Sequence, residues 1–274
     1  MQYRLIASDY DHTLTGPDDT VSKTNYDYIE YYLKNGGFFC INTGREKPSI
    51  FNVVNNSPLG KLDIIICSHQ GALITRAKTK EVLYKSTLKI EDVLKVMNYL
   101  KTKTNQESFV FSEDNIICEK RTNFIQDYVK VLKISTPIIQ VKSYEQYFKT
   151  TADLPMKINV TSSKRGLKII IKEVLERYNL TFTDIGYSMA ELVAPNTSKG
   201  EAHKFVCNYL HIPLENSVGI GDSQNDISLI KEAGLGIAVD NACKELKSVA
   251  DLIVINTNHD AVANIIYKVV KGTI

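Results

Sequence analysis

Short unbroken apolar runs alternate with stretches in which apolar residues recur every three or four positions, and this alternation organises the first part of the chain. Tyr3-Arg4-Leu5-Ile6-Ala7, Phe38-Phe39-Cys40-Ile41 and Ile64-Ile65-Ile66-Cys67 read as strands covered on both faces. Between the first two, Tyr28, Ile29, Tyr32 and Leu33 share one face of a helix beginning at Ser22, and Gly36-Gly37 supplies its stop. Tyr26 and Tyr31 fall off that face, so the tyrosines read as packing, not as a stacking platform. A second helix is expected through Ile50 to Val54. Strand, helix, strand, helix, strand at this spacing predicts an α/β fold with a doubly wound parallel sheet.

After Gly71-Ala72-Leu73-Ile74 the texture changes. An amphipathic helix over Ile90 to Leu100 precedes a hairpin, with Phe109-Val110-Phe111 and Ile116-Ile117-Cys118 flanking Glu113-Asp114-Asn115. A strand at Lys157-Ile158-Asn159-Val160, a helix from Leu167 to Tyr178, and strands around Thr181 to Tyr187 and Glu191 to Ala194 follow. This order predicts an α+β domain over 81–189 inserted into a core made of 1–80 and 190–274. Past Asn196 the parallel pattern resumes. Ser198 caps a helix whose third position is Glu201, and the helix runs through Phe205, Val206 and Leu210 and stops before Pro213. Ser217 to Gly221 reads as a strand, Ser223 to Ala233 as a helix, and Ile237 to Val239 and Leu252 to Ile255 as the last strands.

Composition adds mostly exclusions. The 274 residues suffice for more than one domain, and 43% apolar with 23% charged residues is ordinary for a globular protein. A formal net charge of +2 gives no case for a nucleic-acid or membrane partner. The lysines between Lys78 and Lys103 fall at helical spacing among apolar residues, as on a solvated face. No apolar run approaches the ~20 residues of a membrane span, and Met1 leads straight into strand pattern without a signal-peptide core, so the expectation is a cytoplasmic protein. The five cysteines are scattered without zinc or disulfide spacing, and three lie in or beside apolar runs as small core residues.

The chemistry gathers at strand ends. Asp9-Tyr10-Asp11-His12-Thr13-Leu14-Thr15 follows the first strand, and residues two apart in extended chain leave on one face. Two carboxylates so close repel unless a cation sits between them or one keeps a proton, and a hard cation such as Mg²⁺ prefers such oxygen donors. Thr43 ends the second strand, where a hydroxyl and helix amides can bind an anion; it also fits a plain helix cap, with Glu46 completing a capping box. Pro48 argues for a later helix start, which leaves Thr43 for a ligand. Lys199 stands in the first turn of its helix, against the dipole's preference, a hint of an anionic partner. Gly221-Asp222-Ser223-Gln224-Asn225-Asp226 places two acids four apart at a strand-to-helix turn. Acids for a metal, a nucleophilic carboxylate, and donors for phosphoryl oxygens are complementary chemistry.

Together Asp9-x-Asp11-x-Thr13, Thr43-Gly44-Arg45, Lys199-Gly200 and Gly221-Asp222-x-x-Asn225-Asp226 resemble the four motifs of the haloacid dehalogenase superfamily, most closely its Cof-type subclass IIB phosphatases. The resemblance covers nearly the whole chain and implies a Rossmann-like core with a cap domain as the insertion. It implies Asp9 as nucleophile, and Asp11 as general acid, then base, also offering Mg²⁺ its main-chain carbonyl. Asp9 and Asp222 become metal ligands, Asp226 binds the ion or orients its waters, Thr43, Gly44, Arg45 and Asn225 become phosphate contacts, and Lys199 a catalytic cation that also holds phosphate. The expected reaction is Mg²⁺-dependent hydrolysis of a small phosphorylated metabolite, a sugar phosphate by analogy, through an aspartyl phosphate. Rival readings are phosphoryl transfer to a sugar hydroxyl and a non-catalytic metabolite binder. The chain departs from the family at His69-Gln70-Gly71-Ala72, where Asn-Gly-Ala is usual, at Asp260-Ala261-Val262 for Asp-Gly-Val, and at Leu229-Ile230 where a methionine is common. His69 reads as packed or solvated, and Arg121, Lys157 and Arg165 as surface charges. The substrate and the oligomeric state are not legible.

Overall fold

The structure, a computed structural model, describes all residues except 17, 187 and 256–259, so the strand end expected at Tyr187 lies outside the described residues. The chain forms two compact units: Met1–Gly44 with Val53–Tyr84 and Ser198–Ile274, and Arg45–Asn52 with Lys85–Thr197. In chain order the elements are β1 (Leu5–Ser8), α1 (Lys23–Lys34), β2 (Phe38–Asn42), α2 (Lys47–Asn55), β3 (Ile65–Ser68), β4 (Leu73–Arg76) and β5 (Val82–Lys85). Next come α3 (Ile90–Lys101), β6 (Gln106–Phe111), β7 (Ile116–Cys118), α4 (Asn123–Val131), β8 (Ile138–Gln140), α5 (Tyr144–Thr150), β9 (Lys157–Ser162), α6 (Lys164–Arg177), β10 (Thr181–Gly186) and β11 (Met189–Val193). The chain ends with α7 (Lys199–Tyr209), β12 (Ser217–Gly221), α8 (Ile227–Glu232), β13 (Leu235–Val239), α9 (Lys244–Lys247), β14 (Leu252–Val254) and α10 (Ala261–Lys271).

The larger sheet has the order β14-β13-β12-β1-β2-β3-β4-β5. Pairing is parallel from β14 through to β3, and β4 turns back antiparallel onto β3. β1 and β12 lie inside it, every residue buried, as apolar runs without alternation predict. On α1 the expected stripe packs inward: Ile29 and Tyr32 are fully buried, and the Tyr32 hydroxyl donates to the Tyr3 carbonyl at 3.1 Å. Ser22 caps this helix, its Oγ accepting from the Asn25 N–H, and its hydroxyl donates to Asp260. That contact gives Asp260, the residue of Asp260-Ala261-Val262 that the family pattern shares, a structural role.

Several expectations need correction. The sheet extends through β4 and β5, where only a change of texture was expected. The helix expected through Ile50 to Val54 does not start late as Pro48 suggests but begins at Lys47, with Pro48 in the first turn, where its missing N–H leaves no gap in the ladder. The helix expected from Ser223 opens as a 3₁₀ turn, Gln224–Asp226, before α8.

The second unit is built on a sheet of order β10-β11-β9-β6-β7-β8, antiparallel except between β7 and β8. Val93, Val96 and Leu100 of α3 and Leu167, Ile170 and Val174 of α6 share a core with Val110, Ile158 and Leu192 of the sheet. Phe109, Phe111 and Ile116 belong to a separate core with Ile125 and Tyr128 of α4. Lys157 is no surface charge. It is fully buried, with Nζ 2.6 Å from Glu191 Oε1, 3.1 Å from Glu46 Oε1 and 4.4 Å from the Phe111 ring centre. Glu46 therefore does not box Thr43. Its carboxylate serves the lysine, since a buried ammonium left unpaired would be far more costly than an open helix end. Arg121 and Arg165 are exposed, as expected of surface charges.

Four of the five cysteines are buried and all five are free thiols, and no helix among the described residues is long and apolar enough to cross a membrane. In the first unit, burial pushes the His203 imidazole down to about 4, while its Nε2 lies 2.7 Å from Ser217 Oγ. An unfolded histidine takes a proton near pH 6.5, so its share of stability is complete above that pH and is lost as pH falls towards 4. Urea unfolding should show wild type losing about 3 kcal/mol more than His203→Gln between pH 7 and pH 4. Equal losses would remove His203 as the source.

Candidate active site

β1 delivers Asp9 to the end of the parallel sheet. The Asp9 N–H donates to the Ile220 carbonyl at 2.9 Å, which keeps the residue in register with β12 after the strand has ended. A tight turn follows, with the Leu14 and Thr15 N–H groups on the Tyr10 carbonyl and His12 in the left-handed region at φ 59°. The turn leaves Asp11 half-buried beside a buried Asp9.

The lysine arrives from α7. Ser198 Oγ accepts from the Glu201 N–H at 3.1 Å, fixing Lys199 as the first helical residue, and Asn42 Nδ2 donates to the Lys199 carbonyl at 2.8 Å. Lys199 Nζ stands 2.6 Å from Asp9 Oδ1 and 2.6 Å from Asp226 Oδ1, all three groups buried. Asp226 is held through its other oxygen, Oδ2, which accepts from the Asp222 N–H at 3.1 Å and the Ser223 N–H at 3.0 Å. The approach is so close that a Cβ on Gly221 would fall 2.4 Å from Asp226 Cβ, which requires glycine there. Asp222 Oδ1 accepts from the Thr13 hydroxyl at 3.4 Å.

Charge decides the state of this cluster. Burial, then repulsion from Asp226, Asp222 and Asp11, raises the Asp9 carboxyl well above its ordinary value, and Lys199 opposes the rise only in part. Asp222 is pushed up to about 6 by burial and by Asp226. Burial alone would pull Lys199 down, but Asp226 and Asp9 together carry it above its usual value, so it is an ammonium. One cation is thus set among several acids, and the excess negative charge calls for another. Asp9, Asp222 and Asp226 each offer a carboxylate oxygen, all within 4.8 Å of one another, a hard-oxygen donor set that fits Mg²⁺. The Asp11 carboxylate is not part of that trio, though its charge bears on Asp9.

The remaining expected residues lie on neighbouring loops. Thr43, 1% exposed, follows β2 with its N–H on the Cys67 carbonyl at 2.8 Å. The Gln70 N–H donates to the Thr43 carbonyl at 3.2 Å, and the Gln70 amide lies so close to Gly44 that a Cβ there would meet Nε2 at 2.4 Å. Asn225 Nδ2 donates to Gln70 Oε1 at 3.3 Å, tying the loop after β12 to the loop after β3. His69 is fully buried, so its packed reading is the one observed. Arg45 is half-buried and groups with the second unit. Asn42, Gln70 and Ser223 were not among the expected site residues. A signal existed for Asn42, a polar residue ending a strand of apolar ones. For Gln70 and Ser223 the role depends on partners far away in sequence.

A family model described as haloacid dehalogenase-like hydrolase matches residues 6–266. Phosphatase YwpJ of Bacillus subtilis is 25% identical over 285 residues, covering 95% of this chain and 98% of that protein. The chloroplastic endoribonuclease YBEY of Arabidopsis thaliana is 27% identical over 280 residues, 97% of this chain but 46% of that protein, so the chain spans less than half that relative's length. The solved structure of a HAD subclass IIB sugar phosphatase shares the fold with a TM-score of 0.80 at 20% identity, covering 99% of this chain and 100% of that one. With a buried acid cluster at the end of a parallel sheet and a family match over most of its length, the chain belongs to the haloacid dehalogenase-like hydrolases.

Proposed function

We propose that this hydrolase cleaves phosphomonoesters of small metabolites, sugar phosphates among them, through an aspartyl phosphate on Asp9 and with Mg²⁺ as cofactor. The observation that carries the reading is the shared ammonium: Lys199 Nζ sits 2.6 Å from the carboxylate that would attack and 2.6 Å from a second acid. A dianionic phosphate can approach an anionic nucleophile only where positive charge is already fixed beside it.

In the first step Asp9 Oδ forms a bond to phosphorus as the bond from phosphorus to the ester oxygen breaks. The leaving oxygen takes a proton from Asp11. In the second step Asp11 removes a proton from water, whose oxygen attacks phosphorus and releases the Asp9 carboxylate. Thr43, Gly44, Arg45 and Asn225 donate to the phosphoryl oxygens, and Lys199 offsets the charge on Asp9. Mg²⁺, held by Asp9, Asp222, Asp226 and the Asp11 carbonyl, would supply further charge neutralisation. The inserted unit, expected over 81–189, acts as the cap that selects the leaving group. Similarity in fold to a sugar phosphatase supports the substrate class.

The test is phosphate release from p-nitrophenyl phosphate and a panel of phosphorylated metabolites. Release should require Mg²⁺, stop with a chelator, return when the metal is restored, and be fastest on hexose phosphates. No release with any divalent cation would sink the proposal, and transfer of the phosphoryl group to a sugar hydroxyl in place of water would correct it.

A further inference from the structure

We infer that Gln70 is a positioning residue that ties the two phosphate-side loops together, setting the affinity of the site for the phosphoryl group; this rests on the phosphatase reading. Three contacts of one residue converge on it. Its N–H holds the Thr43 carbonyl at 3.2 Å, its Oε1 accepts from Asn225 at 3.3 Å, and its Nε2 lies against Gly44, where a Cβ would fall 2.4 Å away. Asn225 in turn accepts from the Ser223 hydroxyl at 2.5 Å, and that hydroxyl also reaches Asp226 Oδ2 at 3.3 Å. One side chain, 2% exposed, thus spans from the loop after β2 to the loop after β12.

The backbone argues that the side chain is there for its reach. Gln70 sits at φ 58°, ψ 28°, after His69 at φ 52° and before Gly71 at φ 91°. In the left-handed region glycine is unstrained and asparagine is the best tolerated of the others, so either would serve a plain turn better than glutamine. Asparagine, however, is one methylene shorter and would fall short of Asn225. A buried turn that keeps the conformationally poorer residue keeps it for the contact its amide makes.

The residues it orients, Thr43 and Asn225, are placed on phosphate and not on the attacking carboxylate. Losing the tie should therefore weaken phosphate binding more than it slows the chemical step. The experiment uses Gln70→Asn and Gln70→Ala in the full chain with Mg²⁺. It measures KM and kcat on p-nitrophenyl phosphate, Kd for inorganic phosphate by calorimetry, and Tm. Both variants should raise KM and the phosphate Kd together by roughly tenfold, with kcat within about threefold of wild type. Gln70→Asn keeps a residue that the left-handed backbone tolerates, so a turn-forming role alone would leave its binding intact, and Tm shows that both variants fold. In an Asn225→Ala background, Gln70→Ala should add little. Phosphate Kd within twofold of wild type in both variants, or a loss confined to kcat, or full additivity with Asn225→Ala, would overturn the inference. Calorimetry also separates it from the phosphatase reading. A wild type that binds phosphate without turning over any ester fails that reading, yet a tenfold weaker Kd in Gln70→Asn would still establish the tie.

Discussion

Asp9→Asn should abolish phosphate release while leaving the fold intact. The amide matches the carboxylate in volume but cannot form a bond to phosphorus as an anion, so kcat should fall by at least about 10⁴-fold. The folded state should hardly suffer. Asp9 is buried among Asp226, Asp222 and Asp11, which disfavours its charge, and Lys199 keeps Asp226 as a partner after the change. Removing one charge from that crowd relieves repulsion while giving up one ion-pair contact, so Tm without metal should stay within a few degrees of wild type. Steady-state release from p-nitrophenyl phosphate together with a thermal melt reads both halves. Turnover retained at a tenth of wild type or more would take the nucleophile's role from Asp9.

Lys199→Met is the complementary experiment, expected to damage both stability and turnover. The ammonium is 1% exposed and sits between carboxylates that are themselves almost fully buried. Removing one partner from a buried ion pair costs about 3–5 kcal/mol, because the charges left behind cannot return to water. For a chain of this size that is a fall in Tm of roughly 10 °C without metal. Saturating Mg²⁺ should restore more Tm in the variant than it adds to wild type, since a divalent cation can then answer the negative charge the lysine had answered. Turnover should not return with it; a decrease in kcat/KM of roughly 10³-fold should persist, because fixed positive charge beside Asp9 is missing. Equal Mg²⁺ stabilisation of both proteins would show that the acids and the lysine do not share one charge balance.

What could be read from the sequence follows from physics that acts locally. β1, β2, β3 and β12 were legible because a strand covered on both faces needs an uninterrupted apolar run. Their carboxyl ends then located the acids and the threonine without any structure, and the lysine was found from its place in the first turn of a helix. β5 was not legible by the same rule, since it is largely exposed and needs no buried run, and β4, though buried over Leu73 to Thr75, offers only the two-residue apolar run Leu73-Ile74. α10 went unassigned although Val262, Ile265, Ile266 and Val269, all buried, carry a helical spacing. Lys157 and Glu46 looked like a surface charge and a capping acid. Their actual partnership joins residues 111 positions apart, and no local pattern encodes it. Gln70 was visible only as a departure from a motif, because neither its left-handed backbone nor its reach to Asn225 is a property of its sequence neighbours.

The register of β1 has a consequence for how the molecule is made. One of its edges pairs with β2 soon after synthesis begins, but the other waits for β12, which emerges only after the entire intervening unit. The parallel pair at the centre of the sheet is therefore a late, high-contact-order event, and a nascent chain carries an open strand edge for most of its elongation. Asp222 and Asp226 follow β12 directly, so no partly folded species with that edge still open can complete the charge cluster around Lys199.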